Sequence, residues 1–549
     1  MRRRITGVIF FTIIVGAALA FREPAEKYFD IAKSLDIFAT LFKEVNAYYV
    51  DEVDPQKLIR TGINGMLESL DPYTDYIPED EMESFRISTT GQYAGIGALI
   101  NIVDDKPVIT HPYKGFPAFR AGIRVGDEIV SIDGKPTKGK NTTDVSSLLK
   151  GQPRTDVEVK IHRYGQRDDI NLKIRREKIN LANLTYKGIV EPGVGYIRLD
   201  DFTPGAAREV ADAIVILKDQ GAKKLILDLR ENPGGLLHEA VNIVNLFIPK
   251  GLEVVSTKGK IEEWNKSYTT LNTPLDLETP LVVLVSEGSA SASEIVAGAL
   301  QDYDRAVLVG KRTFGKGLVQ TTRPLAYNAQ LKVTTARYYI PSGRCIQALD
   351  YTHRKEDGTV ERIADSLKNE FKTKSGRKVF DGGGLDPDII VEDEYFGTVT
   401  GALINAGMAF DFATRYCAEH PTQPDLRTFH LADKDYDSFL ALLKEKKFTY
   451  TTALERDTRE LIESAKQERY YKELESSLTN LKAKVEASKA ADLTRFRHEI
   501  QEVLEEQIGF HYDLNEGEAA VYLQRDKGVL EARKVLSNTN LYQKNLLPN

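Results

Sequence analysis

The sequence contains little cysteine and no surplus of basic charge. Cys345 and Cys417 are its two cysteines in 549 residues, too few for a disulfide scaffold or a thiolate zinc finger. The 74 lysine and arginine residues are outnumbered by 81 acidic residues, for a formal net charge of −7. A mildly acidic chain has no overall attraction to nucleic acid or anionic lipid, so we expect no nucleic-acid partner.

Long apolar runs are missing after residue 21, and the one at the start follows Arg2, Arg3 and Arg4. A positive segment before an apolar stretch is typical of a secretory signal, and Ala18-Leu19-Ala20 would suit its cleavage. A run of about 17 residues is also the short limit for an anchor. We therefore interpret residues 1–21 as a signal peptide or N-terminal anchor. The remainder should be exported across a bacterial inner membrane and be periplasmic, with this segment as the sole membrane contact.

The rest of the chain changes texture along its length. Apolar residues at helical spacing predict a helical region over residues 22–88. Short β-rich runs separated by glycine turns predict a small β-domain over residues 89–178. Strand-like and helix-like segments then alternate, which predicts an α/β core over residues 179–394. Within that core, the polar residues 351–385 are expected to form an insertion or a returning loop.

Glycine and proline are both absent between Asp425 and Ile508, within a C-terminal region of residues 395–549. A helical stripe of Leu474, Leu478, Leu481 and Val485 runs through a field of charged residues there. We expect a long-helix appendage that mediates self-association, covers an entrance to the core, or serves as a packing face.

Two segments resemble motifs that bind a nucleotide or a metal, but each lacks a required residue. Residues 310–317 have the spacing of a phosphate-binding loop, but Gly317 replaces the required serine or threonine, and strand-like residues follow where a helix is needed. His238-Glu239 resembles the start of a zinc-binding helix, but Asn242 stands where the second histidine belongs. We expect no metal and no cofactor.

A serine-rich turn is the first candidate for chemistry. An apolar strand ends at Val285, and small residues lead through Ser291 and Ala292 into a helix. A hydroxyl at a helix N-terminus lies where outward-pointing amides favour developing negative charge, which suits a nucleophile. The alternative is purely structural, because Ser291 and Glu294 also form a capping box.

Lys316 is the second candidate. No histidine is placed to activate a serine, and Lys316 lies between two glycines just before an apolar strand. A lysine can act as a base only when its amine is neutral. Gln320 shares a strand face with it and could orient the amine. The alternatives are a solvated loop lysine and an ordinary polar strand residue.

Residues 228–235 supply the third element, where a buried strand meets a helix. Gly234 and Gly235 follow Pro233 and could expose backbone N–H groups beside the amide of Ala292. Such a pair of donors would suit an oxyanion hole. The alternative is a tight turn with a helix cap.

Together these segments resemble the carboxyl-terminal processing (tail-specific) serine proteases. The family's D-x-R-x-N-P-G-G, S-A-S-A-S-E and F-G-K-G motifs, the last with a following V-Q, occur here in order within residues 30–392. The resemblance implies Ser291 as nucleophile, Lys316 as general base and Gln320 as its orienting partner, with Ser289 and Ser293 as rival nucleophiles. It implies oxyanion donors at Ala292 and at Gly234 or Gly235, and a ClpP/crotonase-like core built as a spiral of ββα units.

The same resemblance implies that residues 89–178 are a PDZ domain, inserted before the protease core. Its peptide-binding residues would be a carboxylate-capturing loop and the start of an edge strand that pairs with an incoming peptide. These residues are Tyr93, Ala94, Gly95, Ile96, Gly97, Ala98 and Ile100. The alternative is a small β-domain without a ligand.

The expected protein is thus an α/β multidomain serine endopeptidase that binds free, apolar C-terminal tails of proteins or peptides and cleaves near them. We expect a homodimer through the C-terminal helices. The alternative function is a non-catalytic binding module built from a PDZ domain and a ClpP-like fold.

Overall fold

The structure is a computed structural model that describes residues 22–355, 359–392 and 396–548. The expected signal or anchor in residues 1–21 lies outside these described residues. None of the helices in the described ranges combines the length and apolar character that a membrane span requires. Two compact units are present. The first runs up to Tyr76 and includes Thr322–Val333, and the second contains Ile77–Thr321 and Thr334–Asn549.

The first unit is built on two helices, Arg22–Tyr48 and Pro55–Glu68. The second helix starts where Asp54 accepts the N–H groups of its first turn, and Pro55 occupies the first helical position, where a missing N–H costs nothing. The two helices approach each other at Phe38 and Gly62.

The second unit begins with the helix Met82–Thr90 and a small β-domain. The domain's sheet consists, in spatial order, of strands Ala98–Val103, Lys106–Pro112, Glu128–Ile132, Asp156–His162 and Ile170–Arg175, with Lys135–Pro136 added to the third. Helices Pro117–Arg120 and Thr142–Leu149 complete it. Its core is a cluster of isoleucine, valine and leucine side chains between the sheet and the second helix.

A six-stranded sheet forms the centre of the second unit. Its strands are, in spatial order, Leu184–Glu191, Val194–Leu199, Lys224–Asp228, Leu281–Val285, Val307–Gly310 and Ile389–Ile390. All neighbours pair in parallel except the first two. Helices Ala206–Asp219, Leu237–Phe247 and Ala292–Asp302 connect consecutive strands and bury their apolar faces against one side of the sheet.

The opposite side of this sheet is covered by the last helices of the chain. Val529, Val535 and Tyr542, from helices Lys527–Ser537 and Thr539–Leu546, pack on Val282 and Val307 and their neighbours. Residues 395–549 are helical, as expected, and for these last helices the observed role is the packing face, one of the three expected uses. The physical reason is that parallel strands are apolar on both faces and both must be buried.

Further strands form sheets separate from the central one. Strands Leu318–Pro324 and Gln330–Tyr339 pair with each other, and Gln330–Tyr339 also pairs with Glu253–Gly259, which continues to Lys266–Thr269. Residues 351–385 were expected to be an insertion or loop. The described part contains two short hairpins, Leu349–Arg354 with Val360–Arg362 and Glu370–Lys372 with Lys378–Phe380.

The remaining helices of the second unit share a hydrophobic core of their own, except Ala453–Gln467 and Tyr471–Ala490, which pack on each other. They are Thr398–Asn405, Met408–Glu419, Asp433–Glu445, Ala453–Gln467, Tyr471–Ala490, Asp492–Arg495 and Arg497–Tyr522. The last of these is interrupted at Asp513 and Leu514, whose backbone angles are not helical.

Candidate active site

Ser291 lies at the turn between strand Leu281–Val285 and helix Ala292–Asp302, at the carboxyl edge of the central sheet. Its backbone has φ 55° and ψ −111°, a conformation that L-residues rarely adopt. Its N–H donates to Oε2 of Glu294 at 2.9 Å. The side chain is partly exposed, so it can be reached from outside the core.

The two neighbouring serines differ from Ser291 in burial. Ser289 and Ser293 have no solvent exposure. The hydroxyl of Ser289 donates to the carbonyl oxygen of Leu229 at 2.7 Å, and that of Ser293 donates to the carbonyl oxygen of Asn232 at 2.9 Å. Both hydroxyl protons are thus engaged in structural bonds. These bonds hold residues 228–235 against the turn of residues 286–291, here called the serine turn.

Glu294 is fully buried and joins the serine turn to the loop of residues 311–317 that carries Lys316, here called the lysine loop. Besides Ser291, its carboxylate accepts the hydroxyl of Thr313 at 2.5 Å and the N–H groups of Gly315 and Lys316 at 2.8 and 2.9 Å. Burial raises the pKa of Glu294, while these hydrogen bonds act in the opposite direction. The local sequence pattern predicts only a helix-capping role for this residue. Its contacts across the fold could not be read from the local pattern.

The glycines beside Lys316 allow its loop to pass close to a neighbouring segment. A Cβ added to Gly315, which has φ +87°, would lie 2.4 Å from the Cβ of Ala348. A Cβ added to Gly317 would lie 2.8 Å from the nitrogen of Gln347. The Gln347 side chain accepts the N–H of Gly317 at 2.8 Å. Lys316 itself is partly buried.

Gln320 lies on strand Leu318–Pro324, as expected from its sequence. Its side-chain amide donates to Oγ1 of Thr334 on the paired strand at 3.2 Å. This bond fixes the Gln320 side chain across the hairpin. The position of Gln320 on its own strand did not predict Thr334 as its partner.

Gly234 lies directly against the serine turn. A Cβ at this position would be 2.6 Å from the Ala290 carbonyl oxygen, 2.7 Å from the Ala292 nitrogen and 2.9 Å from Cβ of Ser291. Only glycine keeps the space beside the Ala292 amide open. The N–H of Gly234 donates to Oδ1 of Asn232 at 2.9 Å, so this amide has a partner in its own loop. The choice between Gly234 and Gly235 as second oxyanion donor stays a prediction.

An ion pair between Asp228 and Arg230 stabilises the loop of residues 228–235. The Asp228 carboxylate accepts the Arg230 guanidinium at 2.6 Å and the Tyr196 hydroxyl at 2.6 Å. Burial raises the pKa of Asp228, but the Arg230 charge and these bonds outweigh it, so the pKa is lowered. Arg230 also bonds Asp526 at 2.9 Å, which ties the loop to the C-terminal helices.

The β-domain presents strand Ala98–Val103 at the edge of its sheet, next to helix Thr142–Leu149. Leu99 on this strand is 50% exposed. The preceding residues differ from the expected loop, because Gln92–Gly95 is a strand paired with Glu177–Asn180. Only Ile96 and Gly97 form the turn into the edge strand. The strand pairing explains the difference, since its partner lies more than 80 residues along the chain and leaves no local signal.

Metal-binding clusters of histidine, cysteine or carboxylate side chains are not found in the part of the chain that the structure describes. The polar groups gathered around Ser291 are a lysine loop, backbone amides and one buried carboxylate. Such a set can activate a hydroxyl and stabilise an oxyanion.

Comparison with known proteins identifies three regions. Residues 193–353 match the family described as Peptidase family S41, residues 108–163 match a PDZ domain, and residues 399–536 match the "Probable PDZ-protease, C-terminal helical domain".

The chain is also similar to whole proteins. It is 39% identical over 324 residues to a carboxy-terminal-processing protease of Bartonella bacilliformis, covering 58% of this chain and 74% of the relative. It is 40% identical over 316 residues to a probable CtpA-like serine protease of Staphylococcus aureus, covering 57% and 62% of the two chains. The solved photosystem II D1 C-terminal processing protease is 29% identical, with a TM-score of 0.33 over 66% of this chain and 94% of that one. The chain therefore belongs to peptidase family S41 and is a serine peptidase that carries a PDZ domain.

Proposed function

We propose that this peptidase is an exported endopeptidase that captures the C-terminal tails of proteins through its PDZ domain and cleaves near those tails with Ser291 and Lys316. One observation carries the catalytic part. A single oxygen of Glu294 accepts the backbone N–H groups of both residues, each at 2.9 Å, so the serine turn and the lysine loop are adjacent.

The chemistry follows from the roles of these groups. The neutral amine of Lys316 removes the proton from Ser291 Oγ as that oxygen attacks the scissile carbonyl carbon. The Ala292 amide and one glycine amide stabilise the oxyanion. The lysine then returns the proton to the leaving amine, and water hydrolyses the acyl-enzyme. Burial of Ser289 and Ser293 supports the choice of Ser291.

Substrate capture is proposed to occur by strand addition to Ala98–Val103. Its position at the sheet edge supports this, because an incoming peptide can pair with the free side of such a strand. The turn at Ile96 and Gly97 would hold the terminal carboxylate, and apolar residues of the tail would pack between the strand and helix Thr142–Leu149.

The catalytic test uses an unstructured polypeptide with an apolar C-terminus and three variants. Ser291→Ala should abolish cleavage. Lys316→Arg should do the same while keeping the positive charge, because a guanidinium does not deprotonate. Lys260→Arg, the same change at an exposed site, is the matched lysine control and should cleave normally. If the wild type cleaves nothing, the binding-module alternative gains. If Ser291→Ala still cleaves, the nucleophile lies elsewhere.

Tail recognition is tested on the same substrate with its C-terminal carboxylate converted to an amide. Weaker cleavage, seen as a higher KM with an unchanged kcat, is expected if the carboxylate is captured. A Leu99→Lys variant should leave the difference in KM between the carboxylate and amide substrates unchanged. A changed difference would show that the exposed face of the strand contacts the tail. Equal cleavage of both substrates would contradict tail capture.

Export and assembly are separate parts of the proposal. A reporter enzyme that works only outside the cytoplasm, fused after residue 21, should be active if residues 1–21 direct export.

Self-association through the C-terminal helices is supported by exposed leucines on helices Ala453–Gln467 and Tyr471–Ala490. These leucines, 37–58% exposed, are Leu454, Leu461, Leu474 and Leu481. Leu461→Lys should then convert a dimer into a monomer in light scattering. Unchanged mass would contradict this interface.

A further inference from the structure

Tyr338 is a fully buried residue that contacts both catalytic segments. It lies on strand Gln330–Tyr339 and is 1% exposed. Its hydroxyl donates to the carbonyl oxygen of Ser291 at 3.2 Å, although the two residues are 47 positions apart. Its backbone N–H donates to the carbonyl oxygen of Gly317 at 3.0 Å, next to Lys316. No sequence motif singled it out.

The bond to the Ser291 carbonyl has a consequence for the next amide. The carbonyl of Ser291 and the N–H of Ala292 belong to one peptide unit, which is planar and trans. The oxygen and the hydrogen of a trans peptide point in opposite directions. A hydroxyl that holds the oxygen therefore also sets the direction of the Ala292 N–H, the expected oxyanion donor.

That peptide unit needs to be held, because Ser291 has φ 55° and ψ −111°. A non-glycine residue persists in so sparsely populated a conformation only when its surroundings impose it. Glu294 holds the N–H of Ser291 on one side. Tyr338 holds its carbonyl group on the other, together with the helical N–H of Ile295 at 2.9 Å.

We propose that Tyr338 is a positioning residue for the oxyanion hole, aiming the Ala292 N–H through its hydrogen bond to the Ser291 carbonyl. This rests on the proposed role of Ser291. Because the strand of Tyr338 also pairs with Gly317, the same residue keeps the lysine loop in register with the oriented peptide. The hydroxyl belongs to a buried side chain, and its effect is exerted through Ala292.

The decisive variant is Tyr338→Phe, which removes one hydroxyl and keeps the buried ring. Tyr339→Phe is the matched control, since Tyr339 is the next residue on the same strand and lies on the other face, beside Lys258. Tyr338→Phe should lower kcat by about 10- to 100-fold, less than the roughly 100- to 1000-fold lost when an oxyanion donor is removed, because the Ala292 N–H is still present but less well oriented. KM and the pH midpoint of activity should stay unchanged, because neither substrate nor base has lost a contact.

A ligand pair separates oxyanion positioning from general damage. A peptide aldehyde forms a tetrahedral adduct with the serine and places an oxygen in the oxyanion hole, whereas the corresponding peptide alcohol cannot. In Tyr338→Phe the aldehyde should bind more weakly by the same factor as kcat/KM falls, and the alcohol should bind as to the wild type. Both affinities are measured at a low temperature, at which the thermal unfolding curves show that the wild type and Tyr338→Phe are folded.

Three results would overturn the proposal. The first is a Tyr338→Phe enzyme as active as Tyr339→Phe, and the second is equal weakening of aldehyde and alcohol. In either case an inactive Ser291→Ala enzyme shows that the proposed nucleophile still stands. The third is an active Ser291→Ala enzyme, which removes the proposed function and this inference together.

Discussion

Oε2 of Glu294 lies 2.9 Å from the backbone nitrogen of Lys316 and the same distance from that of Ser291. One buried carboxylate therefore sets the separation between the two segments that carry the proposed nucleophile and base. Its other oxygen holds Thr313 and Gly315. Four donors converge on this side chain, so its removal should affect catalysis and folding together.

Glu294→Gln tests this arrangement with little change in shape. In the glutamine side chain an NH2 group replaces one carboxylate oxygen. Its N–H groups would face the N–H or O–H groups that now donate to that oxygen. We expect kcat to fall by about 100-fold and the free energy of unfolding to fall by about 2–4 kcal/mol, the cost of unsatisfied buried groups. Peptide hydrolysis and urea unfolding measure the two effects.

Asp276→Asn is the control for Glu294→Gln. Asp276 is also buried, accepts the N–H groups of Glu278 and Thr279, and lies before the amino end of strand Leu281–Val285, away from Ser291. It should lose stability without losing kcat. A Glu294→Gln enzyme whose kcat matches that of Asp276→Asn would show that the carboxylate has no role in placing the pair.

Gly234→Ala should block the site. Gly234 and Gly221 both have φ +95°, but a Cβ at Gly221 meets nothing within 4 Å. Alanine costs about 1–2 kcal/mol in such a left-handed conformation at either position. Only at Gly234 does it also collide with the Ala292 nitrogen. Hydrolysis should fall by at least about 100-fold in Gly234→Ala, the loss typical of a removed oxyanion donor, and persist in Gly221→Ala. Comparable activity of the two would argue against an oxyanion hole here.

Val529→Asp should show that the C-terminal helices are part of the protease core. Val529 is fully buried against the central sheet, whereas its neighbour Leu530 is 42% exposed. A buried carboxylate without a partner should cost about 3–5 kcal/mol, and Leu530→Asp should cost less than about 1 kcal/mol. Thermal unfolding monitored by circular dichroism checks this. Equal losses of stability in the two variants would mean that burial of Val529 against the sheet contributes nothing extra.

His511 should make stability depend on acid pH. Its ring nitrogens contact the Gln507 carbonyl oxygen at 2.7 Å and Oγ1 of Thr414 at 3.0 Å, and burial lowers its pKa to about 4. Between about pH 6.5 and pH 4 the unfolded chain binds more protons at this histidine, so stability is lost as pH falls through that window. The loss should reach about 3.4 kcal/mol at most, because each pH unit of this window contributes about 1.4 kcal/mol.

Urea unfolding of His511→Gln across that pH range checks the assignment. The variant should show a shallower loss of stability than the wild type, while His498→Gln, at a side chain that is 90% exposed, should follow the wild type. An unchanged slope in His511→Gln would place the acid sensitivity at other groups.

Much of the core was predictable because its signals are local. Helix Ala206–Asp219 and strand Leu281–Val285 lie where apolar periodicity and apolar runs predict them. The serine turn, the lysine loop and the Pro-Gly-Gly segment were recognisable because each combines unusual residues within a few positions. The strand Gln92–Gly95 was not, since its pairing with Glu177–Asn180 depends on a distant segment.

The sequence by itself determined the kinds of groups available and the identity of the elements that carry them: a serine at a helix start, a lysine between glycines, and strands apolar on both faces. The tertiary structure alone decided which groups meet. It placed Glu294 between Ser291 and Lys316, brought the Tyr338 hydroxyl to the Ser291 carbonyl, and laid Val529 on the far face of the sheet. Periodicity records whether a side chain faces inward, but the partner of a buried polar group is set by packing between segments far apart in the chain.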